Sequence, residues 1–579
     1  IFAQSSYMTT SCATFISASS TFLEDDIFLA IPSMVKFSKN SRKEISTLNV
    51  HLILDTTWVA NNECPPNSKK LSYTPTFLTP KTCGEGEARW DTYRNCQLNE
   101  ILGFYGITFW YVWQVSILGL GPIWMSTNEK MKKKTAQRLM DGGVFAFGLS
   151  EKEHGADIYS SSMKLIPKDE GHYLGKGEKY YIGNGNKAAS VSTFGKFSDS
   201  GEYVFFLVDP KHEKYKCIKN TISSRNYVAE FHLDDYPINK DDILHSGTQA
   251  WDAALNTINV GKFNLGWASI GICTHSFYEA LNHASKRRLF DHYVTDFSHI
   301  KELFVSAYSR IVAMKLFALR GSDYMRAGSL KDRRYLLYVP MVKMKVTTEG
   351  EEVINNLWDV IAAKGFEKDM YFEMAVRDIR ALPKLEGTVH VNMALIIKFM
   401  KNYFFKPDDF PDIPIMNQAT NDDFLFDQGP TKGLGKIKFH DYKKVYNSLD
   451  LPNIKVFKKQ IQTLKLFLIL ASPKKEQIKD FHFLLNLGQL FTLVVYGQLI
   501  IENAKLLKID DPLIDQIFDF MIKDFSKYAL NLYSKSSSTL KQRLLCKKMI
   551  QKPVVDVDRC NHILNKYVYI LANQYQMND

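Results

Sequence analysis

Several residues in this chain are of types that do chemistry, and each has a plain structural reading beside the chemical one. Glu386 stands in Leu385-Glu-Gly-Thr388, eight residues beyond Arg377-Asp378. A carboxylate becomes a general base when apolar surroundings raise its pKa; taken alone, this one reads as a solvated group at a helix start. Ser150 ends the apolar run Phe145-Ala-Phe-Gly-Leu149, where a hydroxyl can donate to a ligand or cap a turn. Glu151, Glu153 and His154 follow it. They are metal-ligand types, yet the loop offers no further ligand at useful spacing, so they read as solvated polar residues and no metal is expected. Arg287, in Lys286-Arg-Arg288, either holds an anion or closes a helix against its dipole. The eight cysteines form no C-x-x-C and no zinc spacing, which points to a reducing compartment without disulfides.

The elements that must position these residues change character along the chain. Residues 1–144 read as a mainly helical N-terminal domain. Residues 145–258 carry short β-type runs, Met163–Ile166, Tyr173–Gly177, Lys179–Ile182, Ser190–Phe194 and Tyr203–Val208, separated by Gly, Asp, Asn and Ser as in an antiparallel β domain. Residues 259–405 return to helix: Phe263, Trp267, Ile270, Thr274, Phe277 and Leu281 mark one face of a long amphipathic helix. Residues 406–435, broken by Pro407, Pro411, Pro414 and Pro430 with clustered Asp and Asn, read as a linker, and 436–579 as a second helical bundle.

The 579 residues carry 73 Lys and Arg against 62 Asp and Glu, a basic balance that suits phosphate-bearing cofactors or anionic lipid. Nucleic acid is not expected, since no dense basic block with interleaved aromatics occurs. The charge-free stretch Ile101–Trp124 is long enough to span a membrane, but its Gln114, glycines and Pro122 favour a buried helix. Leu487–Ile501 likewise reads as core. The basic run Lys541–Lys552 reads as a solvated face, with contact to a membrane surface as the alternative. Ile1–Phe22 is rich in Ser and Thr without acids, as in a transit-peptide remnant, but also lacks Arg.

Four blocks, in order, resemble the acyl-CoA dehydrogenase family. Phe145-Ala-Phe-Gly-Leu-Ser-Glu-Lys-Glu-His-Gly-Ala-Asp157 is similar to the family's strand followed by Thr-Glu-Pro and Gly-Ser-Asp. Lys179-Tyr-Tyr-Ile-Gly-Asn-Gly185 resembles Lys-x-Trp-Ile-Thr-Asn-Gly. Arg287-Arg-Leu-Phe-Asp291 resembles Arg-x-x-Phe-Gly, and Arg377-Asp378 with Leu385-Glu-Gly-Thr388 resembles Arg-Asp followed by Tyr-Glu-Gly-Thr. The resemblance covers about residues 100–400 and, with the extra C-terminal bundle, is greatest to the large, long-chain-type members. It implies an α+β fold: N-terminal helical domain, middle antiparallel β domain, four-helix bundle, and a second C-terminal bundle.

The resemblance also implies FAD, an acyl-CoA substrate, an electron-transfer flavoprotein as acceptor, and at least a homodimer. Glu386 would take the α proton while its own N–H, beside Gly387, holds the thioester oxygen. Leu149 and Ser150 would bond the flavin ring, Gly155 and Ala156 lie near the pyrophosphate, and Tyr181 covers the ring. The Gly183 N–H would face N5. Arg287 and Phe290 would reach the FAD of a neighbouring subunit, and Thr388 the phosphates, with His390 where the family usually has Gln. The implied location is the mitochondrial matrix, with inner-membrane association, or a bacterial cytoplasm. The chain departs from the pattern at Tyr181 for Trp, Gly183 for Thr, Ala156 for Ser, Asp291 for Gly, Leu385 for Tyr and in Ala362-Ala-Lys-Gly365 for Gly-Gly-x-Gly. Those departures leave one alternative to a dehydrogenase, a non-catalytic scaffold or assembly subunit of a larger complex; an acyl-CoA oxidase, which would share the fold and the Glu386 base and reduce oxygen instead, is another.

Overall fold

The computed structural model describes residues 73–223 and 226–575, so the Ser/Thr-rich segment Ile1–Phe22 lies outside the described residues. The first helices are α1 (Tyr73–Leu78), α2 (Thr92–Tyr105), α3 (Ile107–Trp124) and α4 (Glu129–Met140). The charge-free stretch expected as one helix is divided between α2 and α3. Gly106, at φ 142, turns the chain there, and its N–H closes α2 on Leu102 O. Both helices are buried along most of their length, as the sequence led us to expect.

A mixed sheet follows: β1 (Phe145–Gly148), β2 (Lys164–Asp169), β3 (His172–Gly183), β4 (Ser190–Phe197), β5 (Tyr203–Val208), β6 (Tyr215–Asn220), β7 (Val228–Asn239) and β8 (Ile243–Ser246). The spatial order is β6-β7-β3-β2-β4-β5-β8, with β1 on β4. Two pairings, β1 with β4 and β2 with β4, are parallel rather than antiparallel. Parallel neighbours cannot be joined by a tight hairpin, and here the β2–β3 hairpin occupies the connection between β1 and β4. The two runs expected at Tyr173–Gly177 and Lys179–Ile182 are one strand, β3, bent where its register with β7 shifts.

The central helices are α5 (Gly247–Lys286), α6 (Ser298–Arg326), α7 (Tyr335–Met341), α8 (Thr347–Ile361), α9 (Tyr371–Ala381), α10 (Val389–Ile396) and α11 (Met400–Phe405). A two-stranded hairpin, β9 (Arg288–Leu289) and β10 (His292–Tyr293), caps α5. The amphipathic expectation for α5 is corrected: Leu265, Ala268, Ile272 and Ser276 are buried as fully as the Phe263–Leu281 face. A helix surrounded by others has no solvent side. Small residues allow the close approach of α2, since a Cβ on Gly271 would lie 2.1 Å from Glu100 O and one on Gly103 2.5 Å from Ala268 O.

Residues 406–441 run irregularly across this bundle. Asp422, buried, accepts from the Thr92 N–H at 2.7 Å and pairs with Arg326 at 3.2 Å. The last helices are α12 (Tyr442–Tyr446), α13 (Pro452–Leu470), α14 (Lys475–Lys479), α15 (Phe481–Leu506), α16 (Asp511–Tyr533), α17 (Leu540–Met549) and α18 (Val557–Ile563). Among the described residues α15 alone is long and apolar enough to cross a membrane; most of it is buried inside this bundle, as core. Its Asn503 donates to Leu316 O of α6 at 2.8 Å, so the two bundles share one interior.

Candidate active site

Glu386 lies in the turn between α9 and α10. Its backbone is left-handed, φ 48, and Gly387 continues at φ 84. A side chain held there by a non-glycine backbone costs of order 1–3 kcal/mol and persists where the surroundings enforce it. Thr388 then caps α10, its hydroxyl accepting from the Val391 N–H at 3.4 Å.

The turn aims the Glu386 carboxylate inward, between α3 and α5. Oε1 accepts from Gln114 Nε2 of α3 at 2.7 Å; Oε2 is buried and has no hydrogen-bond partner. Gln114 Nε2 also donates to Gly261 O at 2.8 Å, while its Oε1 accepts from Asn264 at 3.0 Å. This amide bridge fixes the carboxylate from both helices. Gly261 keeps this space open: a Cβ there would lie 2.3 Å from Leu118 Cδ2, 3.1 Å from Gln114 Nε2 and 3.3 Å from Glu386 Oε2. Burial pushes the Glu386 carboxyl up to about 7, opposed by the Gln114 hydrogen bond and by the ammonium groups of Lys343 and Lys262. Burial in turn lowers Lys343 to about 7 and Lys262 to about 8. A carboxylate poised near neutrality with one free oxygen is equipped to accept a proton.

The sheet also packs against α3. A Cβ on Gly183, at the end of β3, would lie 2.6 Å from Val115 and 3.0 Å from Tyr111, so the side chains of α3 occupy the space of the threonine expected by resemblance. Gln114, which holds Glu386, lies between those two residues. Leu149 and Ser150 follow β1, and the Ser150 hydroxyl donates to Tyr180 O of β3 at 2.8 Å. Tyr181 is turned outward by φ 62 and is 60% exposed. Gly155 and Ala156 lie on the exposed loop beyond, with open space around Gly155.

One reading of this loop is corrected. Glu151 is not solvated: it is buried against Lys179, whose Nζ lies 2.7 Å from Oε1, and it accepts further bonds from Ser161, Ser162 and the Met163 N–H. Lys179 also donates to Leu149 O at 3.0 Å. Lys179 thereby ties β3 to the end of β1. Glu153 is exposed and His154 half-buried, away from any ligand cluster.

Arg287 and Phe290 are not brought to Glu386 in this chain. Phe290 is 88% exposed at the hairpin tip, where it and Asp291 are both left-handed, φ 49 and 66. Thr388 and His390 are exposed at the start of α10. Three residues escaped sequence reasoning: Gln114, Lys262 and Lys343. Gln114 carried a signal, as the single amide in the charge-free run Ile107–Trp124, where a polar group is buried only with partners; Lys262 and Lys343, with Asn264 and Lys345 two residues on, carried none.

Residues 249–401 match the family described as acyl-CoA dehydrogenase, C-terminal domain. The chain is 23% identical over 288 residues to a 3-(aryl)acrylate reductase of Clostridium sporogenes, covering 48% of this chain and 75% of that protein. It is 22% identical over 326 residues to the caffeyl-CoA reductase–Etf complex subunit CarC of Acetobacterium woodii, covering 55% and 84%. Its fold is similar to that of an acyl-CoA dehydrogenase from Bacillus anthracis solved with FAD: TM-score 0.70, 16% identity, 96% of this chain and 95% of that one. The matched domain contains Glu386, Gly261, Lys262 and Lys343, and the helical, sheet and two-bundle order continues across nearly the whole described length: residues 249–401 are an acyl-CoA dehydrogenase C-terminal domain, and the chain has the acyl-CoA dehydrogenase fold.

Proposed function

We propose that the protein is a flavin-dependent oxidoreductase that takes the α and β hydrogens from a saturated acyl-CoA thioester, with Glu386 as the base. The observation carrying this reading is the free, buried Oε2 of a carboxyl raised to about 7, beside a polar bridge that fixes its direction. The residues present fit FAD in their donor set: Leu149 and Ser150 end one strand beside Tyr180 and the exposed Tyr181 of the next, and Thr388 heads α10 with its N-terminus exposed. They fit less well at Gly183, where only the backbone can face the ring. FAD bound there supplies the acceptor for the β hydride. The protein's own work is to hold the α carbon against Oε2, to keep water from it, and to bind the thioester oxygen with the Glu386 N–H.

A long acyl chain is the proposed substrate, on the strength of the added C-terminal bundle. An electron-transfer flavoprotein is the proposed acceptor, supported by the likeness to a subunit of an Etf complex. The exposed Arg287–Asp291 hairpin supports a homo-oligomer in which it reaches a second copy. Contact with anionic lipid is supported by α13 and α17: residues 451–475 and 535–555 carry twelve Lys and Arg and no acid, with Leu466, Ile469, Leu540 and Leu544 exposed among them.

An anaerobic visible spectrum of the purified protein tests the central reading. A flavin band that bleaches with a long-chain acyl-CoA, and does not bleach in Glu386→Gln, is the expected result. The close contact of Gly183 with α3 favours a second reading, a scaffold that holds flavin weakly or not at all. A colourless protein that takes up no FAD would leave that reading standing and remove the first.

A further inference from the structure

Between α7 and α8 the helix widens for one turn, Val342–Val346, into the wide form that recurs at functional positions. That turn sends two lysines into the interior. Lys343 is fully buried and its Nζ donates to Pro383 O at 2.8 Å and to Gly387 O. These carbonyls lie on the two sides of Glu386. Asn392 Nδ2 of α10 adds a second donor to Gly387 O, at 2.9 Å. Lys345, two residues on, donates to Glu349, which also receives Arg310. Arg310 in turn grips Asp524 of α16 with both terminal nitrogens, at 3.1 and 3.3 Å, and Lys345 lies 4.0 Å from the same carboxylate.

A buried ammonium group is costly unless its hydrogen bonds are met. Lys343 meets them only if Pro383 O and Gly387 O stand where they do, which holds the intervening Glu386 in its left-handed conformation. Lys345 meets them only if Glu349, and through it Arg310 and Asp524, stay in place. Both lysines belong to one widened turn, so a shift of either moves the other. We propose that Lys343 is a positioning residue for the Glu386 carboxylate, and that the ion cluster closed by Asp524 of the C-terminal bundle sets where Lys343 stands. The first half rests on the reading of Glu386 as the base; the coupling to the bundle does not.

The test uses the full-length holoprotein with Lys343→Met, which keeps the aliphatic stem, and Asp524→Asn, which leaves Lys343 untouched. Hydrogen exchange of the amides at residues 385–388 is measured beside steady-state kinetics with an acyl-CoA and a dye acceptor. Lys343→Met should speed exchange in that turn about tenfold, with the sheet unchanged, since a fixed turn is a local opening unit. It should lower kcat roughly a hundredfold with KM within about twofold, as misplacing a reacting group by about 1 Å does. Asp524→Asn should speed exchange in the same four amides by a smaller factor, and the double variant should match Lys343→Met alone.

Unchanged exchange at 385–388 in Lys343→Met overturns the positioning role. Faster exchange there with kcat unchanged overturns it too. If Lys343→Met does not fold, Asp524→Asn decides: exchange altered only in α16 overturns the coupling. A wild-type protein that holds flavin but turns over no acyl-CoA removes the proposed function, while the exchange data still report on the turn.

Discussion

Replacing Lys179 with methionine should destabilise the β domain by about 3 kcal/mol, and the size follows from the partner it leaves behind. Lys179 and Glu151 are both almost completely buried, at 0% and 2% side-chain exposure, with Nζ 2.7 Å from Oε1. Although burial acts to raise it, the Glu151 carboxyl is held at about 2 against its ordinary 4.5 by the Lys179 ammonium and by bonds from Lys179, Ser161 and Ser162. That difference corresponds to about 3 kcal/mol of stabilisation at neutral pH. Burial brings Lys179 from 10.5 down to about 8, an opposing cost of about 3 kcal/mol, so the intact pair contributes roughly nothing net. Losing one member is different, because the surviving carboxylate keeps its burial and loses its countercharge. Denaturant unfolding at neutral pH should therefore show the single variant about 3 kcal/mol less stable, and Lys179→Met/Glu151→Gln within about 1 kcal/mol of the parent. The sign of the pH dependence adds a check. A depressed carboxyl stabilises above its ordinary 4.5 and loses that stabilisation as pH falls toward 2, so parent and single variant should converge in that window. A single variant within about 0.5 kcal/mol of the parent, or a double variant as unstable as the single, would refute the account.

Other expectations follow from the same geometry. Because the base must be ionised and its carboxyl is raised to about 7, kcat/KM should climb with pH through that value; a profile flat between about 6 and 8 would contradict the assignment. Glu386→Gln should lower kcat by a factor of order 10²–10⁴ with the fold intact by circular dichroism. Gly271→Ala drives a Cβ to 2.1 Å from Glu100 O, a backbone atom that cannot step aside, so thermal unfolding should report a loss of about 3 kcal/mol or more. Gly183→Thr, which restores the residue expected by resemblance, should destabilise by about 1–3 kcal/mol through Val115, and Val115→Ala should recover most of it.

The order of helix, sheet, helix and second bundle was legible because each rests on local periodicity and turn chemistry. Tyr203–Val208 was found to the residue, an unbroken apolar run bounded by Gly201-Glu202 and Asp209-Pro210. Tyr215–Asn220 was not, since only Tyr215 of it is buried; Val228–Asn239 was missed although it holds buried Phe231, Leu233, Tyr236 and Ile238, because Asp234-Asp235 and Pro237 interrupt its pattern. Nothing local separates a parallel from an antiparallel neighbour, so the pairing of β1 with β4 could not be read from either strand. At the site, Glu386 was legible by its motif alone. Its conformation, and the grip of Gln114, 272 residues earlier, were not, because hydrogen bonds across such distances leave no mark on the spacing of either partner. Glu151 was misread for the same reason: in a loop bordered by Lys152 and Glu153 it looks solvated, and only the third dimension brings Lys179 to it.

The 40 residues of α5 carry a constraint on how this chain can vary. Gly261, against the carboxylate, and Arg287, which caps α5 beside the exposed hairpin, are 26 positions apart on a rod buried on nearly every side as far as Ala284. At 1.5 Å of rise per residue they are fixed about 40 Å apart. One inserted or deleted residue between them would rotate the hairpin by about 100° against the base and carry every intervening side chain to the wrong neighbour. Loops elsewhere can lengthen or shorten without disturbing either end. In α5 the number of residues is itself part of the site, so variation there is confined to substitution.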